Sequence, residues 1–312
     1  MTMGELMAQN FEPPKWVVPD LIPEGLTLLA GPAKIGKSFL CWNLAVAVAS
    51  GGVALNSIEI EEPRPVVYMA LEDPPKLIQN RLKILSPDSV HENLFIINGF
   101  GSEKFDNDGL AYIEEVIKET DAEFLIIDTW KHVCPRPQLD QGSTSYDVDY
   151  TSMIPVQRFA HDREIAVVLV THTTKSKDNN EPFNSIQGSM GMQAGCDTML
   201  MLLRDNQNHV LHTTGRLIEP SEYAMDFTGG IWTLEGDAAY HSLTKSRQEL
   251  VDILEDAGAR GKTVSELVEE TGRAQGNVSK MLKKLVADGF VIQPEARGRY
   301  FFNEDDFADV NL

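Results

Sequence analysis

The sequence predicts an α/β fold with a three-layer core around a mostly parallel sheet, followed by a small C-terminal domain of helices and a β-ribbon. Short β-type apolar runs alternate with helical patterns between residues 26 and 172. Two of these runs, 123–128 and 165–172, are almost continuously apolar, as expected for strands that a parallel sheet buries on both faces. This alternation favours helices packed on both sides of one sheet.

The predicted elements follow in order along the chain. Apolar runs predict strands at 26–30, 65–71, 94–98, 123–128 and 165–172. Helical patterns lie between them at 37–50, 74–85 and 110–120. After residue 195 we expect consecutive antiparallel strands, then a linker near 236–242, helices at 245–258, 263–272 and 275–288, and a ribbon at 291–302. These elements divide the chain into a flexible segment at 1–14, an α/β domain at 15–240 and a small domain at 241–312.

Composition excludes several classes of protein. The chain has 312 residues, 42% of them apolar, and a net charge of −20, which should repel nucleic acid and anionic membranes wherever positive charge is not locally concentrated. Its three cysteines lie far apart, so we expect neither a disulfide framework nor a zinc ribbon. The start of the chain lacks signal-peptide features, and its most apolar window, 39–55, is too short to span a bilayer. We expect a cytoplasmic protein.

Residues 31–38 read GPAKIGKS, between a predicted strand and a predicted helix. This spacing predicts a phosphate-binding loop, because glycines let backbone N–H groups wrap phosphates at the N-terminus of a helix. Lys37 would then contact the β- and γ-phosphates of ATP, and the Ser38 hydroxyl would bind Mg²⁺. The predicted nucleotide site comprises Gly31, Pro32, Ala33, Lys34, Ile35, Gly36, Lys37, Ser38 and Phe39. The alternative is a tight turn with a helix-capping serine.

Carboxylates follow two of the predicted strands. Asp128 ends the run FLIID and is the candidate metal ligand. Glu72 and Asp73 follow the strand after the P-loop helix, and strand ends in such sheets face the ligand crevice. We interpret Glu72 as the base that activates water and Asp73 as a cap for the helix that Pro74 opens. In the alternative interpretation both acidic residues cap that helix.

The order of these motifs resembles the RecA-like ATPases: a P-loop, then strands that end in Glu-Asp-Pro-Pro, in Asp-Thr and in Thr-His-x-x-Lys. KWVVPDLIPEGLTLLAGPAKIGKS and TGRLIEPSEYAMDF resemble the opening and closing segments of one phage and plasmid group, which includes the RepA-type hexameric replicative helicases. The resemblance covers roughly residues 15–235. It implies a RecA-like P-loop core that uses Mg²⁺ and ATP.

The resemblance also implies roles for single residues. In this family the Glu after the second strand is the catalytic base, which supports Glu72, and a His at the end of the fourth strand senses the γ-phosphate, which corresponds to His172. Family members form rings in which a basic residue reaches the γ-phosphate of the neighbouring subunit. Arg216 in TTGRLIEP is the position that resembles this finger, and Lys175 is a second candidate. Taken alone, Arg216 also fits an ordinary charge at a strand edge.

Two polar stretches, 135–153 and 173–190, are typical of flexible insertions. In RecA-like proteins, loops at these places face the ring axis and contact single-stranded DNA. Here they are rich in Asp, Asn and Ser, with only Arg136, Lys175 and Lys177 for phosphates, whereas DNA-gripping surfaces usually carry more positive charge. Their composition therefore argues against helicase activity more than against ATP hydrolysis.

The last 70 residues resemble a winged helix-turn-helix. The helix at 275–288 would be the recognition helix, packing through Val278, Met281, Leu282 and Leu285 and carrying Asn277, Lys280, Lys283 and Lys284 on its other side. Between residues 273 and 299, six basic and two acidic residues give a local charge of +4. This pattern predicts duplex DNA binding with the helix in the major groove. The alternative is a protein-interaction domain with a solvated basic face.

Together these observations predict a DNA-acting, Mg²⁺- and ATP-dependent homo-oligomer, a hexameric replicative helicase of phage or plasmid type. Its expected partners are ATP, single-stranded DNA at the core loops and duplex DNA at the winged helix, with no membrane. The alternative is a DNA-binding regulatory or recombination-mediator ATPase that does not unwind duplex.

Overall fold

A computed structural model of the chain describes residues 1–99, 107–134, 144–174, 181–186, 190–205, 208–295 and 298–303. The chain folds as two compact units. One comprises Met1–Ser221 and Asp226–Leu234, and the other comprises Glu222–Met225 and Glu235–Leu312. No helix in the described ranges is long and apolar enough to cross a bilayer.

The helices and strands alternate as the sequence predicts. The helices are α1 Met3–Met7, α2 Lys37–Ser50, α3 Pro75–Leu85, α4 Asn107–Thr120, α5 Trp130–Val133, α6 Ser145–Arg163, α7 Met190–Ala194, α8 Ala238–His241, α9 Lys245–Ala257, α10 Val264–Thr271 and α11 Gln275–Ala287. The strands are β1 Trp16–Val18, β2 Ile22–Pro23, β3 Gly25–Ala30, β4 Val53–Ala54, β5 Ile58–Glu59, β6 Val66–Ala70, β7 Leu94–Asn98, β8 Phe124–Asp128, β9 Ala166–Val170, β10 Thr198–Asp205, β11 Asn208–Gly215, β12 Ser221–Thr228, β13 Ile231–Asp237, β14 Val291–Ile292 and β15 Phe301–Phe302. Short 3₁₀ helices lie at Pro182–Ser185 and Gly258–Arg260.

Within the described residues, nine strands form one sheet in the order β13-β12-β11-β10-β3-β9-β8-β6-β7. The six strands from β10 to β7 are parallel, and β11 is antiparallel to β10. The prediction of a mostly parallel sheet in an α/β core is confirmed. The run at 198–205, predicted to belong to an antiparallel group, also pairs in parallel with β3.

Alternate residues of the central strands build the three layers. In β3, β6, β8 and β9 every residue is buried. One face of these strands packs with α4 and α6, through side chains such as Leu28, Ile127, Ile117 and Phe159. On the other face, Tyr68 of β6 stacks on Trp42 of α2. The core is therefore a sheet between two helical layers, which is the RecA-like arrangement.

The predicted flexible insertion at 135–153 is wrong over its second half, because residues 145–153 belong to α6. Thr144 and Asp147 form a capping box that starts this helix, and Pro155 lies inside it. Asp and Ser are common both in loops and at the N-termini of helices, so composition alone does not distinguish the two. In the second stretch, 173–190, the described part holds the 3₁₀ helix Pro182–Ser185 and a bridge between Thr173 and Ile186. Arg136, Lys175 and Lys177 lie outside the described residues.

The second unit contains the predicted helices α9, α10 and α11 and the ribbon of β14 and β15. Its core is a cluster of apolar side chains that includes Leu250, Leu254, Leu267, Val278, Leu282, Leu285 and Phe290. A capping box of Thr263 and Glu266 begins α10. This is the winged helix-turn-helix pattern that the sequence predicts. The predicted linker at 236–242 holds the end of β13 and the short helix α8 instead.

Candidate active site

The parallel strands bring the predicted site residues to one edge of the sheet. Ala70 at the end of β6 pairs with Asp128 at the end of β8. Leu29 near the end of β3 pairs with Val170 at the end of β9. The segments that follow these strands hold the P-loop, Glu72 and His172, and Asp128 is the last residue of β8. They lie at the carboxyl edge, where α/β sheets bind ligands.

The P-loop connects β3 to α2, as predicted for residues 31–38. Gly36 and Lys34 both have positive φ, 107° and 65°. Gly31 lies against the sheet, where an added Cβ would meet the backbone oxygen of Leu202 at 2.5 Å. No side chain caps α2, so the backbone N–H groups of its first turn are oriented for an anion. Ala33 and Lys34 are exposed at the tip of the loop, and Pro32, Ile35, Ser38 and Phe39 are half-buried.

Lys37 is a buried ammonium held inside the loop. It is only 5% exposed, and its Nζ donates to the backbone oxygens of Gly31 (2.8 Å) and Pro32 (3.0 Å). Nζ also lies 3.2 Å from Nδ1 of His172, and because a lysine only donates, Nδ1 accepts. Burial lowers the pKa of Lys37. Burial, together with the charge of Lys37, lowers the pKa of His172, so His172 is neutral in this contact.

Asp128 is a buried carboxylate beside Ser38. It is 4% exposed, and burial raises its pKa. The Tyr68 hydroxyl donates to Oδ2 of Asp128 at 2.9 Å. Interaction with the Ser38 and Tyr68 hydroxyls opposes this rise in the pKa of Asp128.

The pair of Ser38 and Asp128 fits Mg²⁺. A neighbouring hydroxyl and carboxylate supply the hard oxygen ligands that Mg²⁺ prefers, and the metal usually takes one or two protein ligands together with substrate phosphates. In the part of the chain that the structure describes, no cluster of three or more His, Cys, Asp and Glu residues could hold a metal by itself. Ser38 and Asp128 would supply only part of a coordination shell for Mg²⁺.

Glu72 lies at the same edge with two partners that sequence reasoning missed. The Thr129 hydroxyl donates to Oε1 of Glu72 at 3.1 Å, and Nε2 of His132 lies 3.4 Å from the same oxygen. Thr129 and His132 follow β8 directly. The only sequence signal for them was their position just after the strand that ends in Asp128.

The interpretation of Asp73 as a helix cap is wrong. The N-cap residue of α3 is Pro74, and no side chain caps it. Asp73 instead forms an ion pair with Arg81, which lies within α3. The Arg81 guanidinium lies 4.9 Å from the centre of the Phe39 ring. Asp73 therefore orients a cation against the first turn of α2.

Trp232 also contacts the P-loop, and no sequence motif marked it. Its Nε1 donates to the backbone oxygen of Gly36 at 3.1 Å, and its backbone N–H donates to Oδ1 of Asn43 at 3.1 Å. An added Cβ at Gly36 would meet the indole at 2.8 Å. Gly36 is thus required both by its positive φ and by this packing.

Arg216 lies at the opposite edge of the sheet. It follows Gly215 of β11, which pairs with Thr198 at the start of β10. Nη1 of Arg216 is 3.0 Å from Oδ1 of Asp197, and Oδ2 of Asp197 accepts from the backbone N–H of Leu26, near the start of β3. The length of β3, about 17 Å, separates this position from the P-loop. The structure therefore does not bring Arg216 to the P-loop of its own chain, and Lys175 lies outside the described residues.

This fold and site define a RecA-like P-loop ATPase core joined to a helix-turn-helix domain. Residues 1–178, more than half of the chain, match the family model described as an AAA domain. The chain therefore belongs to the AAA domain family. Residues 244–293, from the start of α9 to the ribbon, match the model of bacterial regulatory proteins of the arsR family.

The close contact at Gly31 leads to a prediction about stability. Gly31→Ala should lower the free energy of unfolding of the first unit by about 1–3 kcal/mol, the usual cost of overpacking, because a backbone oxygen cannot move away as a side chain can. Tryptophan fluorescence during thermal unfolding reports on this unit, since all four tryptophans lie in it. The control is Gly4→Ala, where the nearest atom is 4.0 Å from the added Cβ. Equal stability of the two variants would contradict the packing argument.

Proposed function

We propose that this chain is a ring-forming, Mg²⁺- and ATP-dependent ATPase that acts on DNA, and specifically a replicative helicase of phage or plasmid type. The observation that carries the proposal is that the candidate catalytic side chains lie at two opposite ends of the parallel strands. Lys37, Glu72 and Asp128 gather at the P-loop edge, whereas Arg216 lies at the other edge. A site that needs both halves would form between neighbouring subunits.

The P-loop residues would handle the phosphates. Lys37 would exchange its contacts to the carbonyls of Gly31 and Pro32 for phosphate oxygens. Ser38 and Asp128 would hold Mg²⁺, which neutralises charge on the β- and γ-phosphates when it is bound. Because Lys37 also contacts His172, movement of the ammonium towards phosphate would release the imidazole. This coupling supports His172 as the group that senses the γ-phosphate.

Glu72 would act as the general base. Its carboxylate is oriented by Thr129 and His132 and lies at the edge where the γ-phosphate would be held. It would accept a proton from the attacking water, a role typically worth about 10²–10⁴ in rate.

A second function is favoured by one specific observation, the match of residues 244–293 to bacterial regulatory proteins. In this alternative the chain is a DNA-binding regulatory or recombination-mediator ATPase that uses nucleotide as a switch. Strand displacement on a forked duplex separates the two functions. ATP-dependent displacement supports the helicase, and DNA-stimulated hydrolysis without displacement supports the regulator.

Glu72→Gln tests the catalytic assignment. The amide preserves the size of the side chain and can still accept from Thr129, but it cannot take a proton. We expect ATP to bind with unchanged affinity while turnover falls by about 100-fold or more, as measured by phosphate release and by binding of a fluorescent ATP analogue. Glu92→Gln, an exposed change before β7, should leave both quantities unchanged. Turnover by Glu72→Gln at the wild-type rate would exclude Glu72 as the base.

Arg216 tests the oligomeric site. Arg216→Ala should bind ATP and hydrolyse it about 10³-fold more slowly, the effect of removing such a finger in other systems. Folding should be maintained, because Asp197 keeps its bonds to Leu26, Gln157 and His161. Mixing Arg216→Ala with Lys37→Ala should restore part of the activity, since the Lys37→Ala subunit supplies an intact Arg216. Mixed rings that hydrolyse no more ATP than the two variants separately would argue against the finger.

Lys280, Lys283 and Lys284 test DNA binding by the second unit. All three are exposed on α11, whose opposite side is buried through Val278, Leu282 and Leu285. Arg273 and Arg299 are ion-paired with Glu249 and Glu266. The proposed contact with DNA therefore depends on the three lysines more than the local charge of +4 indicates.

Changing all three lysines to Glu in the full chain should abolish salt-dependent duplex binding, measured by fluorescence anisotropy, and leave basal ATP hydrolysis unchanged. The control changes Lys76, Lys83 and Lys118 of the first unit to Glu, which shifts the net charge equally. If both triple variants bind duplex alike, α11 is not the contact surface.

A further inference from the structure

A buried tyrosine touches the candidate metal ligand. Tyr68 of β6 has no exposed surface, and its hydroxyl donates to Oδ2 of Asp128 at 2.9 Å. Burial and the negative charge of Asp128 raise the pKa of Tyr68 well above its ordinary value. The hydroxyl therefore keeps its proton, and the direction of this hydrogen bond is fixed.

The ring of Tyr68 is held as firmly as its hydroxyl. It stacks on Trp42 of α2, with the ring centres 3.6 Å apart and the planes 3° from parallel. Trp42 is also completely buried. Packing alone would be satisfied by phenylalanine at position 68, because the stacked ring supplies the apolar contact. The hydroxyl adds only the bond to Asp128, and a buried hydroxyl must have such a partner.

Four side chains close this arrangement. Ser38 and Trp42 are four residues apart on α2 and so lie on the same face of the helix. Ser38 lies close enough to Asp128 to oppose the rise in its pKa, and Trp42 stacks on Tyr68. The helix that starts at the P-loop is thus connected to the carboxylate of β8 through Tyr68, and Ser38 lies near that carboxylate on the same face of the helix.

We propose that Tyr68 is a positioning residue for the metal site, which fixes the orientation of the Asp128 carboxylate while Trp42 fixes Tyr68. The inference rests on the proposed Mg²⁺-dependent ATPase function. The hydrogen bond from Tyr68 holds Oδ2 of Asp128 in place, near the Ser38 hydroxyl that would share the metal. Without the Tyr68 hydroxyl, the carboxylate loses this bond, and metal binding has to order it. Groups that orient metal ligands in this way are typically worth about 10- to 100-fold in metal affinity.

The test is Tyr68→Phe, which keeps the ring and its stack on Trp42. Binding of a fluorescent ADP analogue is measured with and without Mg²⁺, and Mn²⁺ binding to the protein–ADP complex is followed by electron paramagnetic resonance. We expect Mn²⁺ affinity to fall by about 10- to 100-fold and metal-free ADP affinity to stay within a factor of about two. Tyr146→Phe, at an exposed tyrosine of α6, should change neither quantity.

A double variant shows whether Tyr68 acts through Asp128. Asp128→Asn alone should weaken Mn²⁺ binding, and adding Tyr68→Phe to it should cause no further loss. Trp42→Phe keeps the Tyr68 hydroxyl but loosens its ring, so it should give a smaller loss in the same direction, and it serves as the second variant if Tyr68→Phe folds poorly.

Wild-type Mn²⁺ affinity in folded Tyr68→Phe would overturn the inference and leave the proposed ATPase function intact. The same holds for an equal further loss when Tyr68→Phe is added to Asp128→Asn, since the hydroxyl would then act elsewhere. A wild-type chain whose ADP binding does not depend on Mg²⁺ would overturn the proposed function and this inference together.

Discussion

The parallel register of β3, β9, β8 and β6 is the constraint on which the rest of the site depends. Because these strands run in the same direction and end together, groups that follow them in sequence come together in space. A slip of one residue in β8 would move Asp128 to the other face of the sheet. The hydroxyl of Tyr68 and the helix α2 would then face an apolar side chain instead of a carboxylate. Because every residue of the four strands is buried, a shifted register would bury the Asp128 carboxylate without the Tyr68 hydroxyl, which is costly.

Burial also explains the polar contacts inside the site. An isolated charge in such a place is costly unless it is paired or hydrogen-bonded. Lys37 is satisfied by two backbone oxygens and a neutral imidazole, and Asp128 accepts from the Tyr68 hydroxyl. These are the groups that a phosphate and a cation would replace or supplement. These internal contacts thus pair the charged groups of the site within the fold itself.

The sequence predicts the parts of the site that local pattern controls. The spacing of GPAKIGKS, and carboxylates placed after apolar runs, placed Lys37, Asp128 and Glu72 at one edge. It could not predict contacts that depend on distant pairing: Tyr68 meets Asp128 across 60 residues, and Trp232 meets Gly36 across 196. In the sequence, Tyr68 is one more residue of an apolar strand, and only the pairing of β6 with β8 shows its contact with a carboxylate. The prediction that Asp73 caps α3 is wrong because Asp73 forms an ion pair with Arg81 instead.

Strand β3 connects the P-loop with the ion pair that holds Arg216 at the other end of the parallel strands. Asp197 accepts from Leu26 near the start of β3 and holds Arg216, and the far end of β3 leads directly into Gly31. If Arg216 completes the site of a neighbouring subunit as proposed, each subunit uses two different surfaces for its two neighbours. Such head-to-tail contacts form closed rings. The P-loop of one subunit would then be connected, through one rigid strand and one ion pair, to the finger that completes the next site. Strand β3 would then be a direct route by which one bound nucleotide affects the next.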